Sequence, residues 1–493
     1  MKKTVLIFIM ILYMAFLFSC GADKTGAANE TPSADAAAND VNGEKEEIQE
    51  EETPSANFND DLGEFDFGGY EFNFYSRDIT WANTIMDHAE ITGSALEDSL
   101  YERNRRIEER FNITFVNIAE PDSNKAKKSM QAGTNDYDVI MIRNADAIVF
   151  AGDGLISPFN AFTHIDLTKP YWDDNVNSCL TISNKRYFAA GSFNLTSYDF
   201  VHVLIFNKAL IANFGLDSPY NYVKDGSWTY DVFTEMGKSA VFDLNGDGKM
   251  DKSDSFGFLS SPKQVLPCFW IAAGLKSISK DDNDIPFLDM GSEKFMTVFN
   301  HIFEMTWDTD MWYRSKSGEN IDPDGTIMFH NDQALFMDCT FFYLKDFRGM
   351  ESDFGILPFP KYTEQQDKYY SRMEGCDLFF APASSTAESL ERSSVILEAL
   401  ASDSAKNVIP VYYDIALKTK FTRDEESAEI LDLLFENRIY DLGDTIWGDK
   451  LRDPIVAPMM QNNKRELASK LESIGKTMAK QIDIIVEAFD KLD

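Results

Sequence analysis

A twelve-residue acidic segment in the middle of the chain contains the residue types that bind a hard divalent cation. It reads DLNGDGKMDKSD and runs from Asp243 to Asp254. Oxygen ligands recur at Asp243, Asn245 and Asp247, and Gly248 stands where a calcium loop makes its sharp turn. This spacing predicts a calcium-binding loop.

The second half of the segment completes the predicted ligand set. The backbone carbonyl near Lys249 and the carboxylates of Asp251 and Asp254 follow on the far side of the turn. Calcium loops prefer Glu at the last position, and the shorter Asp254 reaches an ion less easily with both oxygens, so we expect a modest affinity. An acidic turn without an ion is the alternative interpretation.

The residues after this loop argue against a calcium sensor. Ser255 to Phe258 alternate like a strand and do not begin a second helix. A further acidic stretch, DDNDIPFLD from Asp281, lacks the turn glycine, so no second loop is available for pairing. A calcium sensor works by changing the angle between paired helices. We therefore interpret the loop as a structural calcium site that stabilises the fold.

The start of the chain predicts secretion and a lipid anchor. Residues 1–19 have a basic beginning and an apolar run that is too short to span a bilayer, which is typical of a signal peptide. The run ends LFSCG, which resembles a bacterial lipobox with Cys20 as the acylated, palmitate-bearing first residue of the mature protein. Phe18 is bulkier than is usual there, and plain secretion is the alternative. Acyl chains would attach the protein to the outer face of the cell membrane without a spanning helix.

Residues 20–65 have the composition of a disordered tether. From Gly21 to Glu64 there are thirteen acidic residues and two lysines, with few large apolar side chains. Such a stretch buries too little surface to offset its ordering entropy. The formal net charge of the chain is −36, which argues against a nucleic-acid partner.

The remaining residues predict an α/β fold. Tyr70, Phe72 and Phe74 alternate as in a strand, an amphipathic helix follows through SALEDSLYERNRRIEERF, and strand patterns return from Ile113 and in DYDVIMI. Further strands are expected at FVHVLIFN and DLFFAPA, and the last hundred residues show helical periodicity. Four well-spaced cysteines after Cys20 do not form a disulfide framework, although one or two bridges are left open.

Several segments in order resemble bacterial extracellular solute-binding proteins of family 1, the receptors of ABC importers. They are the lipobox and tether, YERNRRIEERFNI, GSWTYDVFTEMGKSAVFDLNGDGKMDKSDSFGF, MFHNDQALFM, DFGILPFPKY and GCDLFFAPASSTAESLERSSVILEAL. Each motif is weak alone, and together they cover nearly all of the mature chain.

The resemblance implies a periplasmic-binding-protein-like fold of two parallel-sheet α/β lobes that close on a ligand about a hinge. Residues 66–198 would form the first part of lobe 1, residues 199–374 the first part of lobe 2, and residues 375–410 the return to lobe 1. Residues 411–493 would be C-terminal helices that pack on lobe 2. The resemblance also implies a monomer that delivers a small solute, favoured to be an oligosaccharide, to an ABC importer permease. A peptide or another solute is left open.

Sugars present apolar C–H faces to aromatic rings and hydroxyls to carboxylates. The candidate stacking residues at predicted strand ends are Trp81, Trp270, Phe341 and Trp447. The candidate hydroxyl-binding residues are Asp78, Asp338, Glu374 and Asp377.

Two other classes of protein are the alternatives. A secreted glycan-active enzyme would need a pair of catalytic carboxylates, and nothing in the sequence marks one pair among 82 acidic residues. No Gly-x-Ser-x-Gly or His-Glu-x-x-His motif occurs, and the five histidines are isolated. We therefore expect a binding protein and no enzyme. A calcium-stabilised surface adhesin is the second alternative.

Overall fold

A computed structural model of the chain describes residues 57–417 and 425–491. The predicted signal peptide, Cys20 and most of the predicted tether lie outside the described residues. Within them the strands are β1 (Tyr70–Arg77), β2 (Ile113–Glu120), β3 (Val139–Arg143), β4 (His202–Asn207), β5 (Phe256–Leu259), β6 (Ile278–Lys280), β7 (Pro286–Leu288), β8 (Ala334–Thr340), β9 (Phe354–Leu357), β10 (Ser371–Arg372), β11 (Asp377–Phe380) and β12 (Arg438–Ile439). The predicted α/β class is confirmed.

The helices of the described residues surround these strands. They are α1 (Ala95–Phe111), α2 (Asn124–Ala132), α3 (Asn144–Gly152), α4 (Asp174–Cys179), α5 (Thr196–Asp199), α6 (Lys208–Asn213), α7 (Pro219–Lys224), α8 (Tyr230–Lys238), α9 (Pro262–Ala272), α10 (Glu293–Thr306), α11 (Pro323–His330), α12 (Ala387–Asp403), α13 (Ile409–Leu417), α14 (Glu425–Glu436), α15 (Ala457–Gln461) and α16 (Leu467–Asp490). Among the described helices, none combines the length and the apolar character needed to cross a bilayer.

Two four-stranded sheets form the centres of two lobes. The first has the order β11-β3-β1-β2 and the second the order β5-β8-β4-β9. Alternate residues of the first sheet face different cores: Phe72 and Phe74 contribute to one cluster, and Tyr75 contributes to the other. A separate, larger cluster surrounds the second sheet. Successive side chains of β1 therefore point to opposite faces of the sheet, and both faces are covered by apolar clusters.

Both sheets are mixed, which corrects the expectation of parallel lobes. Strands β1, β2 and β3 are parallel, as are β5 and β8, but β11 runs antiparallel to β3 and β4 runs antiparallel to β8 and β9. The exceptions are the strands next to the interlobe connections. Strand β4 follows α5 as the chain enters the second lobe, and β11 follows the return. A strand that arrives from the other lobe lacks the βαβ crossover that makes neighbouring strands parallel.

The prediction that residues 411–493 all pack on the second lobe is wrong, because only part of this segment does so. Residues of α14 and α15 belong to the second-lobe cluster. Helix α16 instead places Met478, Ile482, Ile485 and Phe489 in a first-lobe cluster, against α3 and one face of the first sheet. These residues lie four, three and four positions apart, so they form a single apolar stripe that the first lobe covers.

Candidate functional site

A cavity of about 170 Å³ lies between the two lobes at the ends of the first-sheet strands. Its first wall consists of Arg77, Trp81, Arg143 and Asn144. Its floor is formed by interlobe connections, namely Phe200 and residues 374–377. Its second wall consists of Lys263, Asn320, Thr445, Gly448, Asp449, Arg452 and Asp453.

The strand directions explain why these residues meet. Arg77 ends β1 and Arg143 ends β3, and the carboxyl ends of parallel strands share one sheet edge. Strand β11 is antiparallel, so its first residue, Asp377, pairs with Arg143 at that same edge. Ligands bind at this edge in open α/β sheets because the strand ends leave a crevice there.

Trp81 presents an aromatic surface on the first wall. Its side chain is 41% exposed. The ring of Phe200 lies 5.8 Å away at an interplanar angle of 33°, and the Arg77 guanidinium lies 5.1 Å from the Trp81 ring centroid. These neighbours hold the indole while part of its surface is open to the cavity.

Asp377 lies in the cavity lining, where its carboxylate is paired with Arg77. The Arg77 Nη2–Asp377 Oδ1 distance is 2.5 Å, and Arg77 Nε donates to Oδ2 at 2.9 Å. The backbone N–H of Asp377 donates to Thr196 Oγ1 at 2.8 Å. Both partners of the ion pair are buried. The pair therefore presents fixed polar groups at the cavity floor.

Glu374 lines the same floor and remains ionised. Its oxygens are 3.2 Å from Arg452 Nη1 and 3.3 Å from both His202 Nε2 and Gln264 Nε2. Burial alone would raise its pKa, but the charges of Arg452 and Arg372 and the His202 contact hold the pKa well below its usual range. A carboxylate that stays charged is a strong acceptor for ligand hydroxyls.

The second wall contains a charge network that was not predicted from the sequence. Arg372 binds Asp444 with two hydrogen bonds of 2.7 and 3.0 Å, and both residues are buried. Arg452 contacts Asp444 at 3.2 Å and Asp453 at 2.8 Å, and Lys263 lies 3.4 Å from Asp453. The network joins α9, the return connection and the segment that follows β12.

Trp270 lies in the core and not in the cavity. It is 1% exposed, its ring centroid is 5.4 Å from that of Phe295, and its Nε1 donates to Asp441 at 3.3 Å. Ten of the eleven residues of α9 are buried. A helix enclosed on nearly all sides buries its aromatic residues regardless of the strand ends nearby, which explains the incorrect placement.

Three of the other candidates are also buried away from the cavity lining. Phe341 packs on Phe435 and lines a second cavity of about 110 Å³ beside Asp199. Trp447 packs in the first-lobe core, although its neighbour Gly448 lines the interlobe cavity. Asp338 is enclosed in the second lobe.

Asp78 is exposed just beyond β1, outside the residues that line the cavity. Its backbone N–H donates to Glu120, which continues the pairing of β1 with β2. Of the eight predicted ligand residues, the structure therefore brings three together, at Trp81, Glu374 and Asp377.

The predicted calcium loop projects from the second lobe between α8 and β5. Reciprocal backbone hydrogen bonds between Phe242 and Ser255 close its base. Asp243 accepts backbone N–H groups from Gly246 and Gly248, and Asp254 accepts them from two further residues. These hydrogen bonds hold the loop in a series of tight turns.

No family model and no curated protein matches the chain. Solved structures do match it. The sugar-binding protein MalE from the phytopathogen Xanthomonas citri aligns at 12% identity over 85% of this chain and 97% of its own, with a TM-score of 0.57. A cyclo/maltodextrin-binding protein complexed with maltotetraose aligns at 14% over 86% and 98%, with a TM-score of 0.54. UspC of M. tuberculosis aligns at 13% over 85% and 100%, with a TM-score of 0.54.

These likenesses show the fold. The chain has the two-lobed periplasmic-binding-protein architecture, with its cavity between the lobes at the point where the chain crosses from one to the other.

Proposed function

We propose that the protein is an extracellular solute-binding receptor that captures a carbohydrate between its lobes and delivers it to an ABC importer. The observation that carries this proposal is the composition of the cavity, which combines one exposed indole with buried ion pairs supplied by both lobes and their connections. Two of the structures that share the fold are described as a sugar-binding protein and as a protein complexed with maltotetraose.

In this proposal the two walls perform different tasks. Trp81 stacks on the C–H face of one sugar ring, and Glu374 accepts hydroxyl protons at the floor. Arg452 donates from the second wall. Lobe closure about the connections at residues 196–200 and 371–377 brings all three groups onto one ligand. The receptor acts as a monomer, without catalysis, and its partner is the importer's permease.

Attachment through Cys20 is part of the proposal. Acyl chains on Cys20 would hold the receptor at the outer face of the cell membrane. Replacing Cys20 with Ser should leave the protein unprocessed or release it into the medium. Membrane fractionation checks this outcome, and firm retention of mature Cys20→Ser protein at the membrane would contradict it.

Calcium binding to the loop is also proposed. Asp243, Asn245, Asp247, Asp251 and Asp254, with the Lys249 carbonyl, provide an all-oxygen ligand set of the kind calcium prefers. No three loop carboxylates have ligand oxygens within 4.8 Å of one another, so binding would draw them together. A bound ion would neutralise the loop's carboxylates and stabilise the α8–β5 connection, away from the ligand cavity.

A calcium titration tests this role. We expect a dissociation constant of roughly 10⁻⁴ to 10⁻³ M, as in extracellular modules, and a lower melting temperature in chelator. Asp243→Asn should remove the response, whereas Asp281→Asn, in the acidic stretch without a turn glycine, should leave it intact. Loss of sugar affinity without loss of stability on chelation would place the ion in the binding site and contradict this role.

The direct test of the receptor is a thermal-shift and calorimetry screen of the untethered protein against maltose-, cellulose- and xylan-derived oligosaccharides. A sugar at about 100 times its dissociation constant should stabilise the fold by about 2.7 kcal/mol. Trp81→Ala should weaken the sugar that binds, and Phe287→Ala, an exposed aromatic outside the cavity, is the matched control. Binding that is unaffected by Trp81→Ala would contradict the proposed site.

A further inference from the structure

Three side chains of types that can bind a metal ion meet beneath the cavity floor. They are His202 at the start of β4, Cys268 in α9 and Asp338 in β8, and all three are buried. In the described part of the chain, they are the only group of three or more histidine, cysteine or acidic side chains whose ligand atoms lie within 4.8 Å of one another. The group is separate from the calcium loop and from the cavity lining.

The distances between the ligand atoms suit a tetrahedral ion. Nδ1 of His202 lies 2.8 Å from Oδ1 of Asp338 and 3.4 Å from Sγ of Cys268. Sγ of Cys268 lies 3.9 Å from the same Oδ1. Zinc bonds of about 2.0 to 2.3 Å at tetrahedral angles place such atoms roughly 3.3 to 3.6 Å apart. If these three ligand atoms moved by a few tenths of an ångström, they would occupy three of the four corners of a tetrahedral zinc site.

Two of these ligands already have the partners that orient metal ligands. Nε2 of His202 lies 2.9 Å from Arg372 Nη1 and 3.3 Å from a Glu374 oxygen. Ser260 Oγ donates to the second oxygen of Asp338 at 2.9 Å. When a histidine binds an ion through Nδ1, a carboxylate at the far nitrogen accepts the Nε2 proton and fixes the ring. The ion would replace the present hydrogen bond between His202 Nδ1 and Asp338.

The local charge balance also suits a divalent cation. A thiolate at Cys268 and a carboxylate at Asp338 would neutralise one divalent ion, with His202 as a neutral ligand, and a neutral centre is tolerated in a buried site. The nearby Arg372 lies 3.6 Å from the Cys268 sulfur, and its charge is balanced by the two hydrogen bonds to Asp444.

We propose that His202, Cys268 and Asp338 bind one zinc ion, which joins the two central strands of the second sheet to α9. A ligand set of one sulfur, one nitrogen and one oxygen favours zinc over calcium or magnesium. His202 would connect the ion to Glu374. The ion would therefore stabilise the floor and second wall of the cavity.

The test uses cobalt as a spectroscopic substitute for zinc. The full-length protein is stripped with chelator, saturated with calcium to fill the loop, and titrated with Co²⁺. We expect one bound ion with a thiolate-to-cobalt charge-transfer band, because oxygen ligands alone give no such band. One equivalent of Zn²⁺ should abolish the band. A wild-type protein without the band overturns the proposal.

Two cysteine variants assign the sulfur. Cys268→Ser should remove the band, whereas Cys339→Ser should retain it. Cys339 is the matched control because it is buried next to Asp338 on β8 but directs its sulfur to the Thr340 carbonyl at 3.1 Å. A band that survives Cys268→Ser, or is lost equally in both variants, overturns the assignment.

Asp338→Asn gives an independent measurement if Cys268→Ser does not fold. This variant keeps the shape of the side chain and should weaken zinc at least tenfold in competition with a chromophoric chelator. Circular dichroism confirms that the variant is folded. Zinc affinity equal to that of the wild type contradicts the site.

Discussion

Trp81 on the first wall of the interlobe cavity and the charged groups of the second wall are held in different ways. On the first wall, Trp81 is 41% exposed and touches its neighbours mainly through ring contacts. On the second wall and floor, Arg452, Glu374 and Asp444 form part of a network that continues into the buried core. The first wall can therefore lose its ring at little cost to the fold, whereas the charged groups of the second wall also determine the stability of the lobe.

The largest expected effect comes from breaking the buried pair behind the second wall. Asp444→Ala leaves the Arg372 guanidinium buried without its two-hydrogen-bond partner, which should cost about 3–5 kcal/mol in the free energy of unfolding. Urea denaturation measures the loss. The control is Asp308→Ala, which removes an exposed partner of Arg465 and should cost less than about 1 kcal/mol. Equal losses in the two variants would contradict the structural role assigned to the buried pair behind the second wall.

Two tryptophans sharpen the comparison because one lies in the cavity and the other in the core. Trp270→Ala should destabilise the fold by about 3–5 kcal/mol. Trp81→Ala should leave unfolding nearly unchanged and weaken the sugar by roughly 2 kcal/mol, about thirtyfold. Calorimetry and denaturation on both variants separate the effects. A Trp81 variant that is destabilised but binds normally would show that the ring has a structural role.

A smaller, pH-dependent effect is expected in the first lobe, away from either wall. The pKa of Glu398 is raised to about 7, mainly by burial and to a smaller extent by the charge of Asp166. Hydrogen bonds that Tyr171 and Trp172 donate to its carboxylate lower the pKa and offset part of this rise. The protonated form is favoured in the folded state. Its stabilising contribution is therefore complete below the unfolded pKa of about 4.5 and is lost as the pH rises through about 7.

Replacing Glu398 tests that assignment. Glu398→Gln keeps the hydrogen-bonding shape without a charge and should stabilise the protein at pH 8 by about 1 kcal/mol, with a smaller change at pH 5. Thermal unfolding at both pH values measures the difference. Glu391→Gln, an exposed residue on the same helix, is the control. A stabilisation that is larger at pH 5 than at pH 8 would reverse the sign of the argument.

Elements with a regular apolar pattern could be predicted from the sequence. The alternation at Phe72 and Phe74 and the apolar spacing of α1 correspond to β1 and to a helix that buries Ile107 and Phe111. Trp81 lies in the cavity lining because it follows the first strand, and the carboxyl end of that strand opens onto the cavity. Its role in ligand binding stays a prediction.

The second wall could not be predicted in the same way. Its charges follow β12 in the segment DLGDTIWGDKLRD, and they pair with residues from distant parts of the chain. In the structure this segment packs closely against its neighbours: a Cβ added at Gly443 would lie 2.2 Å from Ser277 Oγ. The prediction that Trp270 and Asp338 line the cavity is wrong because both residues are enclosed on all sides. Such enclosure depends on tertiary contacts, which the apolar periodicity of one segment does not reveal.

The receptor account depends on one ligand that contacts both walls and closes the lobes. The most direct measurement is small-angle X-ray scattering of the untethered protein, free and saturated with an oligosaccharide that calorimetry shows to bind. The account predicts a smaller radius of gyration in the saturated wild type and a thirtyfold higher sugar concentration for the same contraction in Trp81→Ala. Saturation of the wild type without contraction would contradict it.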